Sequence, residues 1–138
     1  MERIRLPKKE EGVLFLLEKD DECLIETRVK SGSGFFGHNR IPGGIIEGNE
    51  SPGQAVFREV FEEFGVIARK IIYLDTFNEV TLNGDYIKLH AFLVIDFAGN
   101  VQELEPQKSI LSWVRVEDAS ECLDLASSKL VIELAKKI

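Results

Sequence analysis

The sequence is poor in cysteine, lacks a long apolar run and carries no excess of positive charge. Its two cysteines, Cys23 and Cys122, lie far apart and outside any C-x-x-C pattern, so we expect two buried free thiols rather than a disulfide. No apolar run approaches the ~18 residues that cross a bilayer. Residues 1–5 lack the hydrophobic core of a signal peptide. These absences predict a cytoplasmic protein that has no membrane partner.

The charge balance narrows the class of partner. The 138 residues contain 17 Lys and Arg and 24 Asp and Glu, a formal net charge of −7 at pH 7. Simple attraction to a long nucleic acid or an anionic membrane is therefore not expected. An anionic small molecule would need metal cations to mediate its binding. The length predicts a single domain over residues 1–138, as a monomer or a homodimer.

Short apolar runs alternate with turn residues and predict the order of the elements. Asn83 and Gly84 form a strong hairpin signal, and residues 19–21 predict a tight polar turn. Strands are expected over residues 12–17, 22–28, 70–81, 86–97 and 110–116, a glycine-rich loop over 30–39, and a closing amphipathic helix over 128–137. Strands, helix, strands and helix in this order favour an α+β fold or a mixed α/β/α sandwich.

The clearest helix is predicted over residues 51–64. Ser51 and Gln54 have the spacing of a capping box, Pro52 occupies the first helical position, and Gly65 is a natural stop. On a helical wheel the apolar residues fall in one arc, which we expect to be buried. This arc consists of Val56, Phe57, Val60, Phe61 and Phe64.

The opposite arc of this helix carries Glu59, Glu62 and Glu63, with Arg58 beside it. Like charges on adjacent turns repel, so the arrangement is costly in the absence of a compensating charge. One interpretation is a solvated acidic face. The other is a divalent metal site, because hard cations such as Mg²⁺ and Mn²⁺ prefer oxygen ligands and make close carboxylates favourable. The helix alone leaves both interpretations open.

The residues around the helix separate the two interpretations. Residues 44–66 read G-x5-E-x7-R-E-U-x-E-E-x-G-U, where U is a bulky aliphatic residue, and every specified position matches. At typical residue frequencies, a chance match is on the order of one in a billion per start position. The stretch resembles the Nudix box, the signature of the Nudix hydrolase superfamily, and the resemblance favours the metal site.

The resemblance implies a fold and a metal site. The fold would be a Nudix-type α/β/α sandwich with a mixed β-sheet. Glu59, Glu62 and Glu63 would bind the cation, which would be Mg²⁺ or alternatively Mn²⁺, together with the backbone carbonyl of Gly43.

Other positions of the box would support this site. Glu50 and Arg58 would form a charge-assisted pair that aims the acidic side chains. Gly44 and Gly65 would permit turns that a Cβ atom would strain.

Nudix enzymes cleave a nucleoside diphosphate linked to another moiety, so the resemblance implies attack of water on a phosphorus atom. Glu59 is the first choice for the carboxylate that accepts the proton of the water. Glu62 and Arg58 are counted with it as candidate catalytic residues.

A further carboxylate is less well defined. MutT-like members often place an extra Glu five or six residues before a tryptophan, here Trp113, and this chain has Gln107 and Lys108 at that distance. Glu103 and Glu105 lie slightly earlier in the sequence. A short gap in the match to the family pattern would bring Glu105 to the position of the extra Glu. A solvent-exposed loop position for these acids is the alternative.

The favoured activity is that of a MutT-like nucleoside triphosphate pyrophosphohydrolase, because signals of other Nudix subfamilies are mostly absent from the sequence and the chain is small. Its products would be a monophosphate and pyrophosphate, and damaged deoxynucleotides are among the candidate substrates. The alternatives are an ADP-ribose or nucleotide-sugar pyrophosphatase and a non-catalytic nucleotide-sensing module. The expected partner is in each case a small molecule that contains a nucleoside diphosphate.

Several residues outside the box are candidates for substrate contact. Arg28 and Arg40 could meet phosphates, and Phe36 in the glycine-rich loop could stack on a base. For these residues, surface charge and burial as a loop plug are the respective alternatives. His90 is expected to be a hydrogen-bonded histidine of the sheet, with the substrate pocket as the alternative, and Trp113 is expected in the core.

Overall fold

The computed structural model describes residues 9–29, 37–80 and 84–138. The strands are β1 (Lys9–Lys19), β2 (Glu22–Arg28), β3 (Asn39–Arg40), β4 (Gly43–Ile45), β5 (Ile67–Val80), β6 (Tyr86–Ala98) and β7 (Ser109–Arg115). The helices are α1 (Pro52–Phe64), α2 (Val116–Cys122) and α3 (Ala126–Ala135). None of these helices is both long enough and apolar enough to cross a membrane.

Strand β1 organises a mixed sheet. It pairs in parallel with β6 along one side, and on its other side it pairs antiparallel with β4 and then, near Lys19, with β2. Strand β5 continues the sheet beyond β6, while β2 also pairs with β3 and β7. This arrangement brings the short strand β4 beside the middle of the sheet.

The alternation of side chains along β1 divides the interior into two layers. Val13, Phe15 and Leu17 face α1, whereas Leu14 and Leu16 face α2 and α3. Both sets are buried. The expected α+β architecture, an α/β/α sandwich with a mixed sheet, is confirmed.

The two predicted hairpins agree with the strand pairing. Asp20 and Asp21 connect β1 to β2 with positive φ angles of 53° and 64°, the left-handed backbone that a tight hairpin turn requires. Strands β5 and β6 pair antiparallel up to Val80 and Tyr86. Asn83, the first residue of the predicted turn pair, lies outside the described residues.

Four predictions of burial, those for Phe57, Phe61, Trp113 and Cys122, are wrong. Phe57 and Phe61 are 41% and 59% exposed, because the sheet covers only part of the apolar arc of α1. Trp113 is 37% exposed, since it lies on β7 beside a surface cleft rather than in either core layer. Cys122 is exposed, although Cys23 is buried and both thiols are free as expected. Helix α2 was not predicted.

Candidate active site

Local signals fix both ends of α1. The Ser51 side chain accepts a hydrogen bond of 3.1 Å from the Gln54 amide, and the Gln54 side chain accepts one of 2.7 Å from the Ser51 amide. At the other end Gly65 adopts a φ of 69°, and its N–H donates to the carbonyl of Phe61. The capping box and the glycine stop are confirmed. The wheel positions of the glutamates are therefore well defined.

Arg58 is held by Glu50 from the loop before the helix. Its Nη2 atom lies 2.6 Å from Glu50 Oε1, and its Nε atom lies 3.0 Å from Glu50 Oε2. These hydrogen bonds hold the pKa of the Glu50 carboxyl below its usual range, and they raise that of Arg58. Glu50 also accepts a hydrogen bond from the amide of Glu47. The charge-assisted pair that the resemblance implies is present.

The other atoms of the same guanidinium bind the acidic edge of α1. Arg58 Nη1 lies 2.8 Å from Glu59 Oε1 and 3.2 Å from Glu62 Oε2, and Nη2 donates to the Ile45 carbonyl at 3.0 Å. We call Arg58, Glu50, Glu59, Glu62 and this carbonyl the Arg58 network. It joins β4, the following loop and α1 through one side chain.

Strand β4 lies directly against Glu59. A Cβ atom on Gly44 would overlap the Glu59 carboxylate, so glycine at this position lets the Glu59 side chain lie directly against the backbone of β4. Burial raises the pKa of the Glu59 carboxyl, and Arg58 opposes the rise. Gly43, the predicted carbonyl ligand, is buried and precedes Gly44 in β4, the strand that lies against Glu59.

Glu63 occupies a deeper position than Glu62, whose side chain is 56% exposed. The Oε2 atom of Glu63 is buried and has no hydrogen-bond partner. Burial, and then the negative charges of Glu26 and Glu59, raise its pKa to about 8, while the charges of Arg40 and Arg28 oppose the rise. An unpaired buried carboxylate oxygen is costly and is unusual outside sites that receive a ligand.

Glu26, which the sequence analysis missed, lies beside Glu63. It is only 4% exposed, its Oε1 atom accepts a 2.7 Å hydrogen bond from Arg40 Nε, and Arg28 Nε lies 3.7 Å away. Strand alternation could have located it, because Glu26 follows buried Leu24 by two positions and shares its face. We call Glu63, Glu26, Arg28 and Arg40 the Glu63 cluster.

The loop acids Glu103 and Glu105 reach this cluster. Both are exposed, and both line a small cleft of about 20 Å³ together with Glu26, Arg28 and Glu63. Glu103 accepts a hydrogen bond of 2.9 Å from the amide of Leu111, whereas Glu105 pairs with Lys108 at 3.3 Å.

A larger cavity of about 430 Å³ adjoins the cluster. Arg28 and Arg40 lie on its wall, so Arg28 lines both this cavity and the acidic cleft. Its other lining residues are mainly apolar and include Val80, Ile87 and Leu125. A cavity of this size and composition is typical of small-molecule sites.

Of two further candidates, His90 and Phe36, only His90 lies among the described residues. His90 contacts Thr76 Oγ1 at 2.8 Å and Glu11 Oε2 at 3.2 Å, so its expected place as a hydrogen-bonded histidine of the sheet is confirmed. Phe36 lies outside the described residues.

The donor set suits a hard divalent cation, although the carboxylates do not yet converge. In residues 9–29, 37–80 and 84–138, no three His, Cys, Asp or Glu side chains are close enough to hold a cation jointly. In the Arg58 network, the Nη1 atom of Arg58 binds one oxygen each of Glu59 and Glu62. The unpartnered Glu63 oxygen and the cradle at Gly44 fit a cation once those side chains turn.

Comparison with known proteins places this geometry in a family. A family model described as NUDIX domain matches residues 8–134. The chain is 35% identical over 109 residues to the CTP pyrophosphohydrolase of Escherichia coli (strain K12), covering 79% of this chain and 78% of that protein. It is 32% identical over 119 residues to the diphosphoinositol polyphosphate phosphohydrolase 3-beta of Bos taurus, covering 84% and 68%.

The fold agrees with these relatives. The crystal structure of a MutT NUDIX hydrolase from Burkholderia pseudomallei superposes with a TM-score of 0.78 at 21% identity, covering 92% of this chain and 98% of that one. With the family model matching nearly the whole chain and a relative above 30% identity, the chain belongs to the Nudix family and is a pyrophosphohydrolase.

Proposed function

We propose that this chain hydrolyses the pyrophosphate linkage of a nucleoside triphosphate and releases a monophosphate and pyrophosphate. The observation that carries the proposal is the junction at Arg28, where the acidic cleft beside Glu63 meets the cavity of about 430 Å³. A triphosphate would lie across this junction with its phosphates beside the carboxylates. The nucleoside would then occupy the apolar part of the cavity.

We assign the cation to Glu59, Glu62 and Glu63 with the backbone carbonyl of Gly43. Mg²⁺ is the first choice and Mn²⁺ the alternative, because both prefer oxygen ligands. When bound, such a cation neutralises phosphate charge that would otherwise repel an attacking water. Arg28 and Arg40 contribute fixed positive charge on the opposite side of the phosphates.

Glu59 is proposed to accept the proton of the attacking water. Its carboxyl is partly buried, and burial raises its pKa, which makes it a better base than an exposed glutamate. Glu105 is the alternative acceptor, because it lines the same cleft as Glu63. Arg58 would act by holding Glu59 and Glu62 in place.

A substrate panel tests the proposal. The protein is incubated with Mg²⁺ and CTP, dCTP, 8-oxo-dGTP, ADP-ribose or a diphosphoinositol polyphosphate, and products are resolved by anion-exchange chromatography. We expect a triphosphate to give the highest kcat/KM, with pyrophosphate as the product. Preferred hydrolysis of ADP-ribose or the inositol compound would contradict the substrate class. Thermal stabilisation by a nucleotide without turnover of any compound would indicate the sensing module.

A matched pair of variants links turnover to the site. Glu62→Gln should remove most turnover of the preferred triphosphate. Glu133→Gln, which changes an exposed glutamate of α3 outside the acidic cleft and the large cavity, should leave turnover unchanged. Equal rates in the two variants would contradict the assignment of Glu62.

A further inference from the structure

Glu26 has an unusual position for a carboxylate. It lies on β2 within the layer that packs against α1, where the preceding residue on the same face is the fully buried Leu24. A buried carboxylate is strongly destabilising unless partners compensate it. Partners that compensate the carboxylate of Glu26 are therefore expected beside it.

The partners of Glu26 are the two arginines that line the large cavity. Glu26 and Arg40 are directly opposite each other on β2 and β3, and the 2.7 Å contact follows from that register. Arg28, two positions along β2, stays at 3.7 Å, and its buried Nε atom has no hydrogen-bond partner among the described residues. One carboxylate thus lies within ion-pair distance of both guanidiniums.

Glu63 is the other carboxylate in this cluster, and it is left unpaired. Glu26, Arg28 and Glu63 line one small cleft, and among the described residues Glu63 Oε2 lacks a hydrogen-bond partner although the Arg28 guanidinium lies in the same cleft. Arg28 shares this cleft with Glu63, and Arg40 is bound at 2.7 Å to Glu26 of the same cleft. Without the charge of Glu26, Glu63 would be the one carboxylate of the Glu63 cluster with which Arg28 and Arg40 could pair.

We propose that Glu26 is a positioning residue, which holds Arg28 and Arg40 at the wall of the large cavity and thereby keeps them from neutralising Glu63. The inference rests on the proposed function, in which Glu63 binds a divalent cation. It adds that cation affinity depends on a residue that does not touch the cation. It also explains why one cluster contains both a buried acceptor, Glu63 Oε2, and a buried donor, Arg28 Nε, that have no hydrogen-bond partner among the described residues.

Direct Mn²⁺ binding tests this role without a substrate. Free Mn²⁺ is measured by electron paramagnetic resonance in titrations of the full chain, with folding checked by circular dichroism. Glu26→Gln should weaken Mn²⁺ binding by about tenfold or more, the scale of residues that support metal ligands. Glu26→Asp should recover part of the loss, and Glu22→Gln, at an exposed position of the same strand, should have no effect. Wild-type affinity in Glu26→Gln would overturn the proposal.

A double substitution separates positioning from structural damage. In Glu26→Gln with Arg40→Gln, one of the two released guanidiniums is gone, so Mn²⁺ affinity should move part of the way back toward the wild-type value, while the KM for the nucleotide should exceed that of the wild type because Arg40 no longer faces the phosphates. If the substitutions only damaged the structure, the double variant would show the sum of the two losses of Mn²⁺ affinity. A Mn²⁺ affinity of the double variant no better than that of Glu26→Gln would refute the mechanism. Arg40→Gln alone should bind Mn²⁺ at least as tightly as wild type. Weaker binding by this single variant would overturn the proposal even if Glu26→Gln failed to fold.

The same titrations distinguish this inference from the proposed function. A wild-type protein that binds Mn²⁺ with the expected pattern but hydrolyses no nucleotide would support the role of Glu26 and overturn the activity. If the wild type hydrolyses a triphosphate while Glu26→Gln binds Mn²⁺ with wild-type affinity, the proposed activity is supported and the role of Glu26 is overturned. Absence of Mn²⁺ binding by the wild type would overturn both.

Discussion

The Arg58 network and the Glu63 cluster both include residues of α1, and they differ in how completely their charged groups are hydrogen-bonded. In the network each guanidinium nitrogen of Arg58 binds a carboxylate or carbonyl oxygen at 3.2 Å or less. In the cluster the buried atoms Glu63 Oε2 and Arg28 Nε have no hydrogen-bond partner among the residues that the structure describes. Two of the proposed cation ligands, Glu59 and Glu62, are thus already hydrogen-bonded to Arg58, whereas the third, Glu63, has an oxygen without a partner.

The largest effect is expected from removing the unpaired carboxylate. Glu63→Gln should lower kcat for the preferred nucleotide by about 10²–10³-fold, since one charged ligand of the proposed cation site is lost. Steady-state kinetics at saturating Mg²⁺ measures this, with circular dichroism to show that the fold is kept. A variant with normal kcat would place the reaction away from the Glu63 cluster.

The cluster should also give the cation-free protein an unusual pH dependence. The Glu63 carboxyl titrates near its ordinary pKa of 4.5 when unfolded and at about 8 when folded. Between these values only the folded state keeps the proton, so the free energy of unfolding should fall as pH rises from 5 to 8. The effect of this group is on the order of 1–3 kcal/mol.

Urea unfolding of wild type and Glu63→Gln in a chelating buffer isolates that contribution. The difference in stability between the two proteins should grow with pH in favour of the variant. A difference that is constant with pH would show that Glu63 titrates normally and that the burial argument fails. Saturating Mg²⁺ should reverse the trend in the wild type, because a cation favours the ionised carboxylate.

Within the Arg58 network, the geometry of the guanidinium should matter more than its charge. Arg58→Lys keeps the charge but cannot bind Glu50, Glu59 and the Ile45 carbonyl simultaneously. We expect the free energy of unfolding to fall by about 1–2 kcal/mol. Urea denaturation gives this value, and wild-type stability would show that the network does not hold β4 against α1.

The smallest effect is expected at the rim of the network. Glu47 lies 3.7 Å from Arg58 Nε, but its side chain is 70% exposed. Glu47→Gln should therefore change stability by less than about 0.5 kcal/mol. The same urea measurement serves as the control for Arg58→Lys, and a loss as large as in that variant would mean that surface charge, rather than bidentate bonding, stabilises this end of the helix.

Local signals explain what could be predicted from the sequence. Helix α1 begins after Ser51 and ends before Gly65 because its capping residues act within one turn of each end. The hairpin turn at residues 20 and 21 is similarly local. The Nudix box placed Glu50 beside Arg58 because the resemblance supplied a distant pairing that periodicity alone does not contain.

The incorrect predictions share a dependence on distant packing. A helical wheel shows that Phe57 and Phe61 belong to an apolar arc, but it does not show how far the sheet extends over that arc. Helix α2 has seven residues, no side-chain cap at Arg115 and one buried residue, Ala119, so its local signal is weak. Strand alternation could have placed Glu26 on a buried face, but not its pairing with Arg40, because Arg40 lies on another strand.

Anomalous diffraction at the manganese edge would test the cation site most directly, with crystals that hold Mn²⁺ and a non-hydrolysable triphosphate analogue. We expect a peak within coordination distance of Glu59, Glu62 and Glu63, with the phosphates of the analogue beside Arg28. A fully occupied analogue with the manganese peak elsewhere, or with no peak along α1, would contradict the assignment of this helix as the metal-binding element.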